Sequence, residues 1–164
     1  MPATAHTFET RNDLSEDVRT EMISLLNARL ADTFDLYSQV KQAHWNVKGP
    51  HFMQLHLLYD TVAESVIEFV DTIAERATAL GGLALGTARM AAEASTLDEY
   101  PQDTVQDMET VAVVADRLAA YGANVRAAAD AAEEAGDQDT LDLFVEVSRT
   151  IDKHLWFVEA HIQS

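Results

Sequence analysis

Apolar residues recur every three or four positions along most of the chain, and no segment shows the alternation typical of a surface strand. A first helix is predicted from about Leu14 to Trp45, and the turn at 46–50 ends it. A second is predicted over Phe52–Leu80 and stops at a Gly-Gly pair. The pattern predicts an all-α fold. The second helix carries one core-facing seam, formed by Leu55, Tyr59, Val62, Val66, Phe69, Ile73 and Leu80.

A long connection follows the second helix. It has room for a short helix at Arg89–Ala94, before a third long helix from about Thr104 to Ala135 and a fourth after the Gly136-Asp137 pair. Four helices with one long crossover, between the second and third, match ferritin-like four-helix bundles, whereas simple up-down bundles use short loops throughout. We expect a single domain over 1–164, with residues 1–13 as a flexible tail.

Composition limits which metal ligands, partners and locations the chain can have. The chain has no cysteine, which excludes disulfides, thiolate zinc sites and iron–sulfur clusters, so a bound metal must use oxygen and imidazole ligands. The net charge of −17 should attract cations and repel phosphate backbones. The first twenty residues are polar and acidic, and no stretch approaches 18 uninterrupted apolar residues. We therefore expect a cytoplasmic protein that neither spans a membrane nor binds one.

Four potential metal ligands share one face of the second helix. At about 100° per residue, His56, Asp60, Asp71 and Glu75 fall within roughly one 100° sector. This sector lies opposite the core-facing seam, so it must face solvent or another chain. The same flank carries apolar residues, which favours a subunit interface; they are Leu57, Ala63, Ile67 and Ala74.

Helix length separates these ligands into two groups. His56 and Asp71 are fifteen residues apart, or about 22 Å along a helix, which is too far to share one ion. His44, at the end of the first helix, joins His56 and Asp60, while Asp71 and Glu75 form the second group. A two-fold partner with an antiparallel second helix would bring the first group against the partner's second group. Two identical sites would then lie roughly 20 Å apart.

The ligand types indicate which metal and which reaction to expect. An intrachain di-iron site of the ferritin type needs Glu-x-x-His on two helices, and none of the six histidines has a Glu three residues before it. Imidazole and carboxylate ligands without sulfur suit Fe(II), Mn(II) or Zn(II). An accessible, carboxylate-rich site with open positions suits redox chemistry on iron, and zinc would compete for the site and block it.

Two sequence motifs carry a family resemblance. The first is HWNVKG at 44–49, followed after five residues by Leu55-His56 and after three more by Asp60. The second is VDTIAER at 70–76, followed by Leu80-Gly81 and Ala84. With both motifs at the right separation, the chain resembles the Dps family, the mini-ferritins or DNA-protection-during-starvation proteins. The resemblance extends over nearly the whole chain, including Leu155-Trp156-Phe157.

The resemblance implies a ferroxidase that stores iron and protects against oxidative stress. Such proteins form hollow dodecamers built from dimers, oxidise paired Fe(II) ions at each dimer interface, prefer hydrogen peroxide to oxygen, and store ferric mineral inside. By this resemblance His44, His56 and Asp60 of one subunit are catalytic metal ligands, together with Asp71 and Glu75 of the partner subunit. Glu75 is expected to bridge the two ions.

Further roles follow from the same resemblance. Trp45 and Trp156 resemble aromatic residues near such centres that catch stray oxidising equivalents. Arg76 and Asp152 resemble a pair that ties subunits together, the alternative being an ordinary surface ion pair.

An acidic entry pore is also implied by the resemblance. The family has a pore at a three-fold axis, lined from the region of the fourth helix. Asp142 matches a pore position, and Glu146 lies one turn further, where a small residue is expected. Asp137 and Asp139 precede them. The alternative is a solvated acidic helix.

The remaining histidines fit no cluster and are expected at the surface or in helix caps; they are His6, His51, His154 and His161. Glu64 lies on the ligand flank and is interpreted as a surface residue.

The sequence departs from DNA-binding family members, which use a mobile lysine-rich terminus. The first forty residues hold three arginines and no lysine, and the whole chain holds three lysines. The counterion-release term that drives non-specific DNA binding is therefore nearly absent. A DNA-binding, nucleoid-protecting protein is the less favoured alternative, with nucleoid association left open, and a purely structural helical oligomer is a third hypothesis.

Overall fold

The computed structural model describes residues 7–164 and folds them into a helical bundle. The helices are α1 (Glu16–Asn46), α2 (Phe52–Ala79), α3 (Ala88–Ala94), α4 (Asp107–Ala135) and α5 (Gln138–Glu159). The short α3 lies in the crossover, and the other four helices form the bundle. The predicted all-α, ferritin-like fold with a short crossover helix is confirmed. None of these helices, within 7–164, is long and apolar enough to cross a membrane.

Local sequence signals account for the start of α1 and the end of α4. The Ser15 side chain accepts a hydrogen bond from the Val18 N–H at 3.3 Å, so α1 begins at Glu16 rather than at the predicted Leu14. Gly136 ends α4 in the left-handed conformation, with φ of 80°.

One apolar core runs through the bundle and fixes the rotation of α2. Six of the seven predicted seam residues are buried, and Phe69 is half-buried; the six are Leu55, Tyr59, Val62, Val66, Ile73 and Leu80. Burying a large apolar side chain stabilises the fold by about 1.5–3 kcal/mol, so the seam side of α2 is held firmly against the core. The opposite flank of α2 therefore faces outward.

Backbone and side-chain contacts hold the turn between α1 and α2 against the start of α4. The Lys48 N–H donates to the Val105 carbonyl at 2.8 Å. Gln106 pairs with Lys48 in an extended conformation, which is why α4 begins at Asp107 and not at the predicted Thr104. Gly49 has a φ of +130°, and a Cβ there would lie 2.8 Å from the Asp107 carboxyl carbon, so the motif needs glycine at this position.

The expected flexible tail over residues 1–13 is corrected for its later part. The Phe8 N–H donates to the Gly81 carbonyl at 2.7 Å, and Thr10 and Asn12 side chains accept backbone hydrogen bonds from Asn12 and Leu14. The first of these bonds attaches the segment to the end of α2, and the other two order residues 10–14 locally. Residues 1–6, including His6, lie outside the described part.

Candidate metal site

Two imidazoles stack where α1 ends and α2 begins. The ring centroids of His44 and His56 are 3.8 Å apart, and the ring planes differ by 14°. The His44 Nδ1–H donates to the His56 carbonyl at 2.6 Å, and the His56 Nδ1–H donates to the His44 carbonyl at 2.8 Å. A carbonyl oxygen can only accept, so each neutral ring carries its proton on Nδ1 and keeps a lone pair on Nε2. This is the tautomer that binds a metal ion through Nε2.

A carboxylate lies beside the stacked rings. The Asp60 Oδ1 is 3.8 Å from His44 Nε2 and 2.7 Å from Lys41 Nζ. The hydrogen bond from Lys41 lowers the pKa of the Asp60 carboxyl, which is therefore ionised at neutral pH. Lys41 was not singled out from the sequence, although it precedes His44 by three residues and so shares its helix face. Its ammonium group contacts the oxygen that an incoming cation would bind.

Exposed apolar side chains surround this cluster of His44, His56 and Asp60. The Phe52 ring packs 5.1 Å from the His56 ring. Trp45, Met53 and Leu57 are exposed, and so is Ile67 further along α2. The predicted apolar flank thus includes Leu57 and Ile67, but Ala63 belongs to the core and not to this flank. The rotation of α2 about its axis turns Ala63 toward the bundle interior.

Asp71 and Glu75 lie on the outer flank in the second half of α2, and both are exposed. Neither carboxylate has a hydrogen-bond or ion-pair partner within 7–164. In the same part of the chain, no group of three or more His, Asp or Glu residues is placed to hold a metal ion. A metal site using His44 and Asp60 would therefore need ligands from outside the chain, and the intersubunit arrangement stays a prediction.

The acidic residues predicted near an entry pore divide into exposed and buried groups. Asp139, Asp142 and Glu146 are exposed. Asp137 is only 2% exposed, because it caps α5 and pairs with Arg76 Nη2 at 2.7 Å. Asp137 is therefore removed from the set of pore candidates.

The predicted Arg76–Asp152 tie between subunits stays a prediction, and each residue has another partner within its own chain. The Arg76 guanidinium donates to Asp137 and Thr140. Asp152 pairs with Arg126 at 2.8 Å, in an exposed position. Trp156, predicted as a near-site aromatic, is exposed on α5, where its ring lies 4.9 Å from that of Phe157.

The histidines expected at the surface or in caps differ in their surroundings. His51 pairs with Asp107 at 2.8 Å, and the hydrogen bond from His51 lowers the pKa of that carboxyl. The His161 Nδ1–H donates to the Phe157 carbonyl at 2.9 Å, so His161 caps the end of α5. For His154 the expectation is wrong, because this residue is buried with neither ring nitrogen hydrogen-bonded to the part of the chain described.

Comparison with known proteins adds independent information. Residues 23–164 match the model of the ferritin-like domain family. The "DNA protection during starvation protein" of Agrobacterium fabrum is 41% identical over 96% of this chain and 97% of its own length. A protein of the same name from Mycolicibacterium smegmatis is 32% identical over 92% of this chain and 82% of its own.

Solved structures agree with this family match. DpsA14 from Streptomyces coelicolor superposes with a TM-score of 0.93 at 30% identity, covering 99% of this chain and 96% of that chain. DpsC from the same organism gives a TM-score of 0.91 at 34% identity, covering 96% of this chain and 92% of that chain.

Proposed function

Because this chain belongs to the Dps family of ferritin-like proteins, we propose that it is an iron-storage ferroxidase whose reaction sites are completed by a second copy of the chain. The substrate is Fe(II), and the preferred oxidant is hydrogen peroxide, with oxygen as the slower one. The chain would assemble from dimers into a hollow dodecamer that stores ferric mineral. This activity would protect a cytoplasm against oxidative stress.

The observation that carries the proposal is an incomplete set of oriented metal ligands. His44 and His56 fix each other's Nδ1 protons, which leaves two Nε2 lone pairs beside the ionised Asp60. Imidazole with carboxylate suits Fe(II), and accessible positions suit a metal ion that must meet an oxidant. The missing ligands are expected from Asp71 and Glu75 of the partner subunit.

The reaction balances with two Fe(II) ions per site. Hydrogen peroxide takes one electron from each ion and two protons from solvent, and its O–O bond breaks to give two water molecules. Because both electrons arrive together, no hydroxyl radical is released. The ligands hold both ions close to the oxidant, and Trp45 and Trp156 are proposed to take up stray oxidising equivalents.

Substrate delivery follows from charge. A net charge of −17 attracts Fe(II) to the protein surface. Asp142 and Glu146 are exposed on α5 and unpaired within 7–164, so they suit a path for cations. The Arg76–Asp152 tie is proposed for the assembled shell. Zn(II) accepts the same ligands but has no redox chemistry, so it would inhibit Fe(II) oxidation.

A complementation experiment tests the intersubunit site. His56→Gln and Asp71→Asn proteins are each expected to be inactive. When they are unfolded, mixed in equal amounts and reassembled, about half of the dimers should contain one of each chain. In such a dimer both lesions fall in one site and the other site is intact, so about a quarter of the wild-type rate should return. Reassembled wild-type protein sets the reference rate.

Failure to restore activity on mixing would contradict the intersubunit site. If each variant lies in a site built within one chain, mixing restores nothing, and the intersubunit proposal fails. Activity in either variant alone would remove that residue from the ligand set.

The relatives' name suggests a second candidate, a protein that protects DNA by binding it. The acidic charge and the three lysines of this chain argue for chemical protection instead, because few phosphate contacts are available. A gel-shift experiment at low salt between pH 6 and 8 discriminates between them. Retardation of duplex DNA would favour the binding hypothesis.

A further inference from the structure

A second polar site lies in a cleft of about 510 Å³ between α2 and α5. Its wall on α5 is a stripe of residues at steps of three and four, and its wall on α2 includes Thr61 and Ser65. No His44, His56 or Asp60 atom lines this cleft. The volume falls in the range of ordinary small-ligand pockets, roughly 300–1,000 Å³.

The α5 stripe carries two cations. Arg149 and Lys153 are four residues apart, so their side chains leave the same helix face one turn apart. Within residues 7–164 neither forms an ion pair, whereas Arg29, Arg76 and Arg126 each pair with a carboxylate. The chain contains 28 acidic and 11 basic residues. Two adjacent cations without an ion-pair partner therefore line one cleft, where Lys153 also lies 5.6 Å from the centroid of the Phe157 ring, and this arrangement suits an anion.

Neutral hydrogen-bonding groups in the same cleft also lack partners. His154 is only 6% exposed, and neither ring nitrogen is hydrogen-bonded to any residue of the described part. Buried polar atoms without partners are rare in native proteins, and a ligand or ordered water commonly explains them. The Thr150 hydroxyl likewise has no bond within 7–164. By contrast, Thr61 and Ser65 already donate to carbonyls of α2.

We infer that this cleft binds a small tetrahedral oxyanion of the inorganic phosphate class. Arg149 and Lys153 supply the charge-assisted hydrogen bonds, and an arginine fork suits two oxygens of such an anion. The Thr150 hydroxyl and one imidazole N–H of His154 supply neutral donors. The site is independent of the proposed ferroxidase reaction, because none of these residues belongs to that site.

Glu146, which is also a proposed iron-entry residue, adds selectivity to this cleft. Its carboxylate lines the same cleft, three residues before Arg149, and forms no ion pair with it. A carboxylate accepts a hydrogen bond from a protonated oxyanion and repels a fully deprotonated one. At neutral pH phosphate keeps a proton on oxygen and sulfate does not. The cleft should therefore prefer phosphate to sulfate.

Calorimetric titration of the assembled, metal-free protein with inorganic phosphate tests the inference. The buffer contains chloride at pH 7, and the ionic strength is held constant with sodium chloride. We expect saturable binding, and Arg149→Gln should weaken it at least about tenfold because a charged hydrogen-bonding partner is lost. Thr150→Val should weaken it by a smaller factor. Arg89→Gln is the matched control, since it removes the same charge from an exposed site outside the cleft, and it should bind as wild type does.

A titration with sulfate is the second part of the test. Wild-type protein should bind sulfate at least about tenfold more weakly than phosphate, and Glu146→Gln should reduce this difference by tightening sulfate binding. The inference is overturned if phosphate shows no saturable binding, or if Arg89→Gln loses as much affinity as Arg149→Gln. Equal binding of both anions to wild type would remove the role of Glu146. Because the protein carries no iron here, these results do not depend on ferroxidase activity.

Discussion

Two buried histidines of this bundle have opposite surroundings. His44 is 8% exposed and His154 is 6% exposed, so burial does not distinguish them. The His44 ring is hydrogen-bonded to a carbonyl, stacked on His56 and placed 3.8 Å from a carboxylate oxygen. The His154 ring has no hydrogen-bond partner in the described chain and shares a cleft with two unpaired cations.

The difference shows that the neighbours of a buried imidazole, rather than its burial, indicate its ligand. Beside Asp60, the free Nε2 of His44 belongs to a site of negative charge that suits a metal cation. Beside Arg149 and Lys153, the neutral ring of His154 belongs to a site that suits an anion. Each of the following predictions changes one side of this comparison.

The largest effect is expected from His44→Gln. The change removes the Nε2 lone pair, and since loss of a residue that merely supports a ligand costs about 10–100-fold, loss of the ligand should lower the rate of Fe(II) oxidation at least about 100-fold. Stopped-flow absorbance with hydrogen peroxide measures this rate. The control is His161→Gln, whose ring also donates to a carbonyl but lies at the end of α5. A wild-type rate in the His44 variant would remove this residue from the site.

The next effect is on stability, and it compares the histidine stack at the start of α2 with the exposed Asp71 in its second half. His44→Ala removes the ring stack and the hydrogen bond that the His44 ring donates to the His56 carbonyl, so the free energy of unfolding should fall by about 1–3 kcal/mol. Asp71→Ala removes an exposed carboxylate without a partner in the described chain, and the change should stay within about 0.5 kcal/mol. Denaturant unfolding at fixed protein concentration measures both. Equal losses of unfolding free energy would mean that Asp71 also makes contacts that stabilise the fold.

Lys41→Gln should change iron affinity moderately. The Lys41 ammonium bonds Asp60 at 2.7 Å and repels an incoming cation. Its removal should lower the Fe(II) concentration for half-maximal rate by about threefold to tenfold, since the site is partly exposed and the charge is screened by water. Lys48→Gln is the control, because Lys48 is exposed and forms no ion pair with residues 7–164. A weaker affinity in the Lys41 variant would show that this lysine orients Asp60 for metal binding.

The smallest effect is a pH dependence of stability from His154. Burial lowers the pKa of this imidazole below the ordinary value of 6.5, and the charge of Lys153 adds to the shift. The unfolded chain takes up the proton near pH 6.5 while the folded chain resists it, so this residue costs nothing above that pH and destabilises the fold as the pH falls below it. The other charged groups lining the cleft are Arg149 and Glu146, and the α2 wall contributes only hydroxyls.

Comparison of wild type with His154→Phe isolates this contribution. Between pH 7.5 and 5, in chloride buffers, the stability of wild type relative to the variant should decline at low pH by at most about 1.4 kcal/mol per pH unit. Thermal unfolding midpoints measure the difference. Parallel curves would mean that the folded protein protonates His154 as readily as the unfolded chain does.

Local geometry explains how much the sequence could predict. Helix periodicity is a property of neighbouring residues, so it placed the core seam on one side of α2 and Asp71 and Glu75 on the other, and both placements are confirmed. Helix rise alone separated His56 from Asp71 by about 22 Å and thus required a second chain for a shared site. The glycines at 49 and 136 predicted where the helices are interrupted, and both have positive φ in the structure.

Contacts between helices were decided only by the tertiary structure. The stacking of His44 on His56, the bond from Lys41 to Asp60 and the burial of Asp137 under Arg76 each join residues from different helices. The unpartnered His154 beside Arg149 depends in the same way on how α2 and α5 meet. Periodicity defines the face on which a side chain lies, but the packing distance and rotamers set which polar atoms meet. The sequence by itself thus determined the helices and their ligand-bearing face, while the packing of the helices decided which charges each buried imidazole meets.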